Sequence, residues 1–210
     1  MPHIVLLGDS VFDNAAYVPI GADVATQLRR LLPAGWSATL LAMDGAVIAD
    51  VSRQLARLPA DATHLVVSAG GNDALAHIDL LDRHARSSAE VLGWLADAAE
   101  AFEARYRELL ASVTARLLPV TVCTIYNGNL GAPVHRLAAT ALAVFDDAIL
   151  RLATEQALSA IELRLVCTEP GDYANPIEPS AAGGAKIARA VARALGAGNA
   201  PAPGARVVAG

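Results

Sequence analysis

His3-Ile4-Val5-Leu6-Leu7-Gly8-Asp9-Ser10 is the stretch that decides how this chain is read. An apolar run of strand length stops at a glycine, and a serine follows two residues later. Gly8 can take backbone angles that a side chain would forbid, so the chain can turn sharply off the end of a strand. A buried strand ending this way presents the Ser10 hydroxyl at the rim of a sheet. Ligands of open α/β sheets bind at that rim, outside the carboxyl ends of the strands. Taken alone, such a serine more commonly caps the next helix.

Outward from this stretch, strand and helix patterns alternate. Ala22 to Leu32 carries Val24, Leu28 and Leu31 on one helical face, with Pro33 just beyond. Thr39 to Met43 reads as a second strand, ending at Asp44-Gly45. Ile48, Val51, Leu55 and Leu58 then recur at helical spacing up to Pro59. His64 to Ser68 is a third strand, running into Ala69-Gly70-Gly71-Asn72-Asp73. A long apolar stripe follows between Ser88 and Leu118. Pro119 to Ile125 is a fourth strand, Leu137 to Leu158 is helical, and Ile161 to Cys167 is a fifth strand. The last helix starts after Ser180, buries Ile187, Val191 and Leu195, and stops at Gly196. Strands alternating with helices predict a parallel sheet covered on both faces.

The helical stretch from Ser88 to Leu118 is longer than a small domain is wide, about 30 Å. Either it breaks near Gly93, or it overhangs and packs on a second copy of the chain as a homodimer. Residues 1–197 read as one domain, and 198–210, rich in Gly, Ala and Pro, as a flexible tail.

An apolar fraction of 54% over 210 residues argues for a sizeable core and against disorder. The apolar runs stop well short of a membrane span, and the start of the chain has no basic segment or signal core. The expected setting is therefore cytoplasmic, with no membrane partner. A formal charge of −5, with Lys186 the only lysine, argues against a nucleic-acid partner. Cys123 and Cys167 fall in apolar runs and read as core residues. The chain has neither a dinucleotide-binding glycine fingerprint nor a phosphate loop. Ser10 is not in a Gly-x-Ser-x-Gly elbow. Asp73, His77, Asp79, Asp82 and His84 lack a recurring ligand spacing and read as a solvated face, not a metal site.

What remains is a polar or glycine residue at each of three successive strand ends: Ser10, Gly45 and Asn72. Gly8-Asp9-Ser10, the lone Gly45 and Gly70-Gly71-Asn72-Asp73 resemble the first three blocks of the SGNH (GDSL-type) hydrolase family. The resemblance covers nearly the whole chain. It implies a flavodoxin-like three-layer α/β/α domain with a five-stranded parallel sheet, in the order 2-1-3-4-5. It further implies Ser10 as nucleophile, with the Ser10 and Gly45 backbone N–H groups and the Asn72 amide as oxyanion hole. The activity implied is that of a serine-dependent acyl hydrolase, esterase- or lipase-like, acting on a small or medium ester or amide. No cofactor and no metal are implied.

The family's final Asp-x-x-His block is altered. Alignment on Pro176 and Gly183 places Asn175 at the aspartate and Glu178 at the histidine. Three explanations stay open. Glu178 can itself be the base, if burial raises its pKa from about 4.3 towards the useful 6–7. Asn175 would then be a neutral neighbour able to donate a hydrogen bond, and Asp172 is a lesser candidate from the same loop. Alternatively, His77 or His135 supplies an imidazole. In the third case the machinery is impaired, and the scaffold is a non-catalytic ligand-binding pseudoenzyme.

Overall fold

In a computed structural model, which describes residues 1–197, the chain forms a three-layer α/β/α domain of flavodoxin-like architecture. The tail expected at 198–210 lies outside the described residues. Five parallel strands, β1 (His3–Gly8), β2 (Ser37–Leu40), β3 (His64–Ser68), β4 (Val120–Cys123) and β5 (Ser159–Ile161), lie in the order β2-β1-β3-β4-β5. The helices are α1 (Val24–Leu31), α2 (Val51–Leu55), α3 (Gly71–Leu75), α4 (Ser88–Thr114), α5 (Val134–Glu155) and α6 (Ala181–Ala194).

Every residue of β1 is buried, because both faces of the sheet are covered. Side chains alternate along a strand. Val5, Leu7, Leu65, Val67 and Val122 therefore join α2, α4 and α5 in one core, around Phe102, Tyr106 and Ile149. Ile4, Leu6, Val66 and Cys123 join α1 and α6 in the other, around Leu28, Ile187 and Val191. Each such side chain contributes about 1.5–3 kcal/mol by leaving water. Among the described residues, no helix is long and apolar enough to cross a membrane.

The second strand is Ser37–Leu40, where Thr39 to Met43 was expected, because the Leu41 and Ala42 N–H groups both turn onto the Leu6 carbonyl and end the ladder. Of the two alternatives for the long helix, the overhang is what is seen and not the break at Gly93: α4 runs unbroken for 27 residues, about 40 Å at 1.5 Å per residue. A Cβ at Gly93 would meet nothing, and its buried positions begin only at Ala98, so the turns from Ser88 to Asp97 overhang the sheet. The fifth strand is only Ser159–Ile161, where Ile161 to Cys167 was expected. Beyond Ile161 the Leu163 N–H is taken by the Thr124 hydroxyl at 2.8 Å. The same hydroxyl donates to Glu162, so a side chain ends the ladder and Leu163–Leu165 winds into a 3-10 turn.

Gly8 is where the sheet becomes a site. Its φ is +125°, and a Cβ there would overlap the Ser68 carbonyl oxygen on β3. Gln54, 2% exposed, clamps its peptide: it donates to the Gly8 carbonyl and accepts the Gly8 N–H, both at 2.8 Å. Gly8→Ala meets both a forbidden φ and a backbone overlap. It should cost more than about 4 kcal/mol, beyond the usual range for one substitution. The check is the urea midpoint of whatever soluble protein is obtained; a loss below about 1 kcal/mol would refute the account.

Candidate active site

The turn after Gly8 is held by its own aspartate. Asp9 Oδ1 accepts the Val11 N–H at 3.1 Å, and the Asp9 carbonyl accepts those of Phe12 and Asp13. Ser10 sits on this turn, 8% exposed. It is not the cap of the next helix: Asp23 caps α1, accepting the Thr26 N–H at 2.8 Å.

The final loop brings Glu178 to this serine. Asn175 Oδ1 accepts the N–H groups of Ile177 and Glu178, both at 2.9 Å, which curls the loop into a tight turn. Ala174 N–H closes it on the Glu178 carbonyl at 2.8 Å. Asn175 thus shapes the backbone through its oxygen, and its side chain is exposed. Three anchors hold the loop down. The Tyr126 hydroxyl donates to the Ile177 carbonyl at 2.6 Å, Asn129 N–H to Pro176 at 2.7 Å, and the fully buried Asn14 amide to Pro179 at 3.1 Å. Asn14 also accepts the first N–H of α1, so one side chain ties the loop to the segment following Ser10. Asp172 faces elsewhere: its carboxylate pairs with Lys186 at 2.6 Å and accepts the Glu169 N–H, and its backbone carbonyl accepts from Ser180.

Glu178 is 6% exposed, and its Oε2 has no hydrogen-bond partner. Burial raises its pKa, hydrogen bonding with Ser10 opposes the rise, and the charge of Asp44 adds to it. Ser10 thus favours the charged form of this carboxylate, and the two side chains line one cavity.

Asn72 lies in the first turn of α3, whose start at Gly70 is left-handed, with φ +111°. Its amide nitrogen donates to the Ala46 carbonyl at 2.9 Å, which uses one of its two N–H bonds. Asp73, expected on a solvated face, is instead buried and accepts the Ile48 N–H at 2.9 Å. Neighbouring side chains of α3 therefore both grip the Gly45 loop. Gly45 has φ +75° in a turn closed by the Ala46 N–H on Met43. A Cβ on it would meet nothing, so the turn's φ, not a close approach, requires glycine there.

Ser10, Asn72, Glu178 and Asp9 line one cavity of about 140 Å³ at the carboxyl edge of the sheet. Gly45 lies beside it, linked through Ala46 and Asn72. Of the two candidate histidines, His77 lines the cavity, its ring stacked on Phe145 at 6.1 Å. His135 is outside the lining; its N–H bonds the Gly131 carbonyl and its buried Nδ1 has no partner. Leu75, Ile78 and Leu130 also line the cavity, whereas Val134 does not. Gln54, Asn14 and Tyr126 are structural partners of the site that the sequence did not single out. Each is a lone polar residue in an ordinary pattern, with no spacing to betray a partner far along the chain.

A serine-bearing turn after β1 and an asparagine at the start of α3, on a flavodoxin-like 2-1-3-4-5 sheet, form the arrangement of the SGNH-type hydrolases. The chain belongs to the GDSL-like lipase/acylhydrolase family, whose profile matches residues 6–186. Members of this family and its structural neighbours include ester-hydrolysing enzymes. Its fold is similar to that of an extracellular lipase from Streptomyces rimosus, with a TM-score of 0.70 at 14% identity over 92% of this chain and 100% of that one. It is similar, too, to LAE5, an alpha/beta hydrolase enzyme from the metagenome of Lake Arreo, with TM-score 0.69, 19% identity and coverage of 95% and 97%. A phospholipase A1 from Streptomyces albidoflavus gives TM-score 0.65, 18% identity and coverage of 90% and 98%. No curated protein matches the chain at a significant level.

Asp9 makes the site's electrostatics measurable. Burial pushes its carboxyl up to about 7, the Val11 N–H opposes this, and the charge of Glu178 adds to it. The folded chain keeps a proton that the unfolded chain gives up near pH ~3.9. This stabilising contribution is present at low pH and is lost as pH rises to about 7. Asp9→Asn retains an oxygen for Val11 and removes the charge. Its urea midpoint should match the wild type near pH 4 and exceed it at pH 8; a gap of equal size at both would refute the burial account.

Proposed function

We propose that this protein is a serine acyl hydrolase in which Glu178 takes the place of the family histidine. The observation that carries the reading is the buried Glu178 carboxyl facing the Ser10 hydroxyl in a cavity that Asn72 also lines. Ser10 Oγ attacks the carbonyl carbon of an ester or amide while its proton passes to Glu178. The carbonyl oxygen becomes an oxyanion, received by the free N–H of Asn72 and the backbone N–H groups of Gly45 and Ser10. Collapse breaks the bond to the leaving group, which departs with the proton from Glu178. Water then attacks the acyl-Ser10 ester, giving its proton to Glu178, and the carboxylic acid is released as Ser10 regains its proton.

A carboxylate with its ordinary pKa is a feeble base towards a hydroxyl. Burial raises Glu178 in the direction catalysis needs, and the final loop keeps its neutral Asn175 and ion-paired Asp172 from adding a free negative charge. Asp172 is not proposed as a base, because its carboxylate is paired with Lys186 and does not line the cavity that holds Ser10.

The test is a panel of activated short-chain esters with a serine-reactive phosphonate. Ser10→Ala should abolish both turnover and labelling. Glu178→Gln should lower kcat/KM about 10²–10⁴-fold, and Asn72→Ala about 10²–10³-fold. Activity should rise with pH on a limb above the usual glutamate value of ~4.3, and His77→Gln should leave that limb in place. Equal activity in wild type and Glu178→Gln, or a limb that disappears with His77, would sink the assignment of the base. Unlabelled Ser10 with no turnover would point instead to a ligand-binding pseudoenzyme.

A further inference from the structure

The cavity at Ser10 is mostly apolar away from the sheet edge, with His77, Tyr126 and Asn127 as further polar residues in its lining. Asp9, Ser10, Asn72 and Glu178 sit at the sheet edge, and the remaining wall is dominated by Leu, Ile, Ala and Phe side chains from α3, the following 3-10 turn, α4 and α5. Leu75 and Ile78 are exposed at its rim, whereas Phe145 is 3% exposed at its base. No lysine or arginine lines it, while two carboxyl groups do. An acyl group with a second negative charge would meet repulsion from these carboxyl groups with no permanently charged cation to offset it. A neutral aliphatic chain replaces water along a wall that offers few hydrogen bonds.

Its size follows from one helix face. Ala138, Ala141, Leu142 and Phe145 stand at i, i+3, i+4 and i+7 on α5 and all line the space. The two alanines fall where the stripe would otherwise carry larger core residues, and the space is what they leave unfilled. Leu95, on the overhanging part of α4, lines the same space. The volume of about 140 Å³ is close to the ~150 Å³ of an apolar cavity that takes up benzene; since it includes the polar end beside Ser10, about six carbons, the ester carbon among them, are the most it holds.

We infer that the acyl group of the substrate is an uncharged aliphatic chain of medium length, about six carbons, held between α5 and the α3–α4 connection, with Ala138 and Ala141 setting its length. This rests on the serine hydrolase reading for its chemistry, but not for the binding it predicts. The leaving group is not specified by this wall.

The experiment compares p-nitrophenyl acetate, hexanoate and laurate, and separately the binding of acetamide and hexanamide to Ser10→Ala by calorimetry. Each buried methylene is worth up to about fourfold, ~0.8 kcal/mol, so hexanoate should exceed acetate in kcat/KM by ten- to hundredfold. Ala141→Leu should cut the hexanoate-to-acetate ratio at least tenfold. Leu95→Ala, which removes volume and so cannot fail by overpacking, should move the optimum towards longer chains. Hexanamide should bind Ser10→Ala at least tenfold more tightly than acetamide. Ser10-dependent hydrolysis with no preference between acetate and hexanoate would overturn the inference and leave the proposed chemistry standing. Selective hexanamide binding without Ser10-dependent hydrolysis would support the inference and defeat the chemistry. An unchanged ratio in both Ala141→Leu and Leu95→Ala would overturn the assignment of the wall.

Discussion

A carboxyl group kept out of water against a hydroxyl is the constraint on which the site depends. Burying such a charge costs several kcal/mol unless it is paired, and Glu178 Oε2 has no partner. Left to itself, the final loop would swing outward and rehydrate the group. Tyr126, Asn129 and Asn14 prevent this with hydrogen bonds to three consecutive stretches of loop backbone, and Asn175 stiffens the turn from inside. Those bonds join the segments after β1 and β4 to the loop before α6. The raised pKa of Glu178 is thus a property of the whole sheet edge.

The same edge distributes the remaining acids so that they do not compete. Asp172 is neutralised by Lys186, and Asp73 is committed to the Ile48 N–H. Asp9 alone shares the cavity with Glu178, and its carboxyl is pushed up to about 7. Burial is the main reason Asp9 is pushed up, and the charge of Glu178 adds to it.

The parts of this arrangement legible in the sequence are those with a local signature. Gly8, Gly45 and Gly70 punctuate strand ends, and each has the positive φ that glycine tolerates. The apolar runs of β1 and β3 and the Ser180 cap appear where their patterns place them. Ile161 to Cys167 is apolar enough to read as a longer strand five, while the hydroxyl that ends the ladder comes from Thr124, far away in sequence. Gln54 sits in a short amphipathic helix and looks like any surface glutamine until β1 is laid beside it. Asp73 reads as solvent-facing for the same reason: its acceptor role exists only once the Gly45 loop folds over α3. Local conformation is written in neighbouring residues, whereas partners brought together by the sheet are written nowhere in one dimension.

In the proposed reading, chemistry and specificity belong to different layers of the molecule. The groups that would handle protons and charge hang from loops at the sheet edge and are locked by long-range hydrogen bonds, so they tolerate little change. The apolar wall comes from the first turns of α5 and from α4 near its overhang, where the helices extend past the packed core. Ala138 and Ala141 are half-buried, and a larger side chain there alters the cavity without entering the core around Phe102 and Ile149. The preference for one acyl chain over another can therefore drift through substitutions that leave Ser10, Asn72 and Glu178 where they are. A sheet edge that fixes the reacting groups, beside helices free to vary their overhanging turns, is physically suited to hydrolases that keep one chemistry and differ in what they accept.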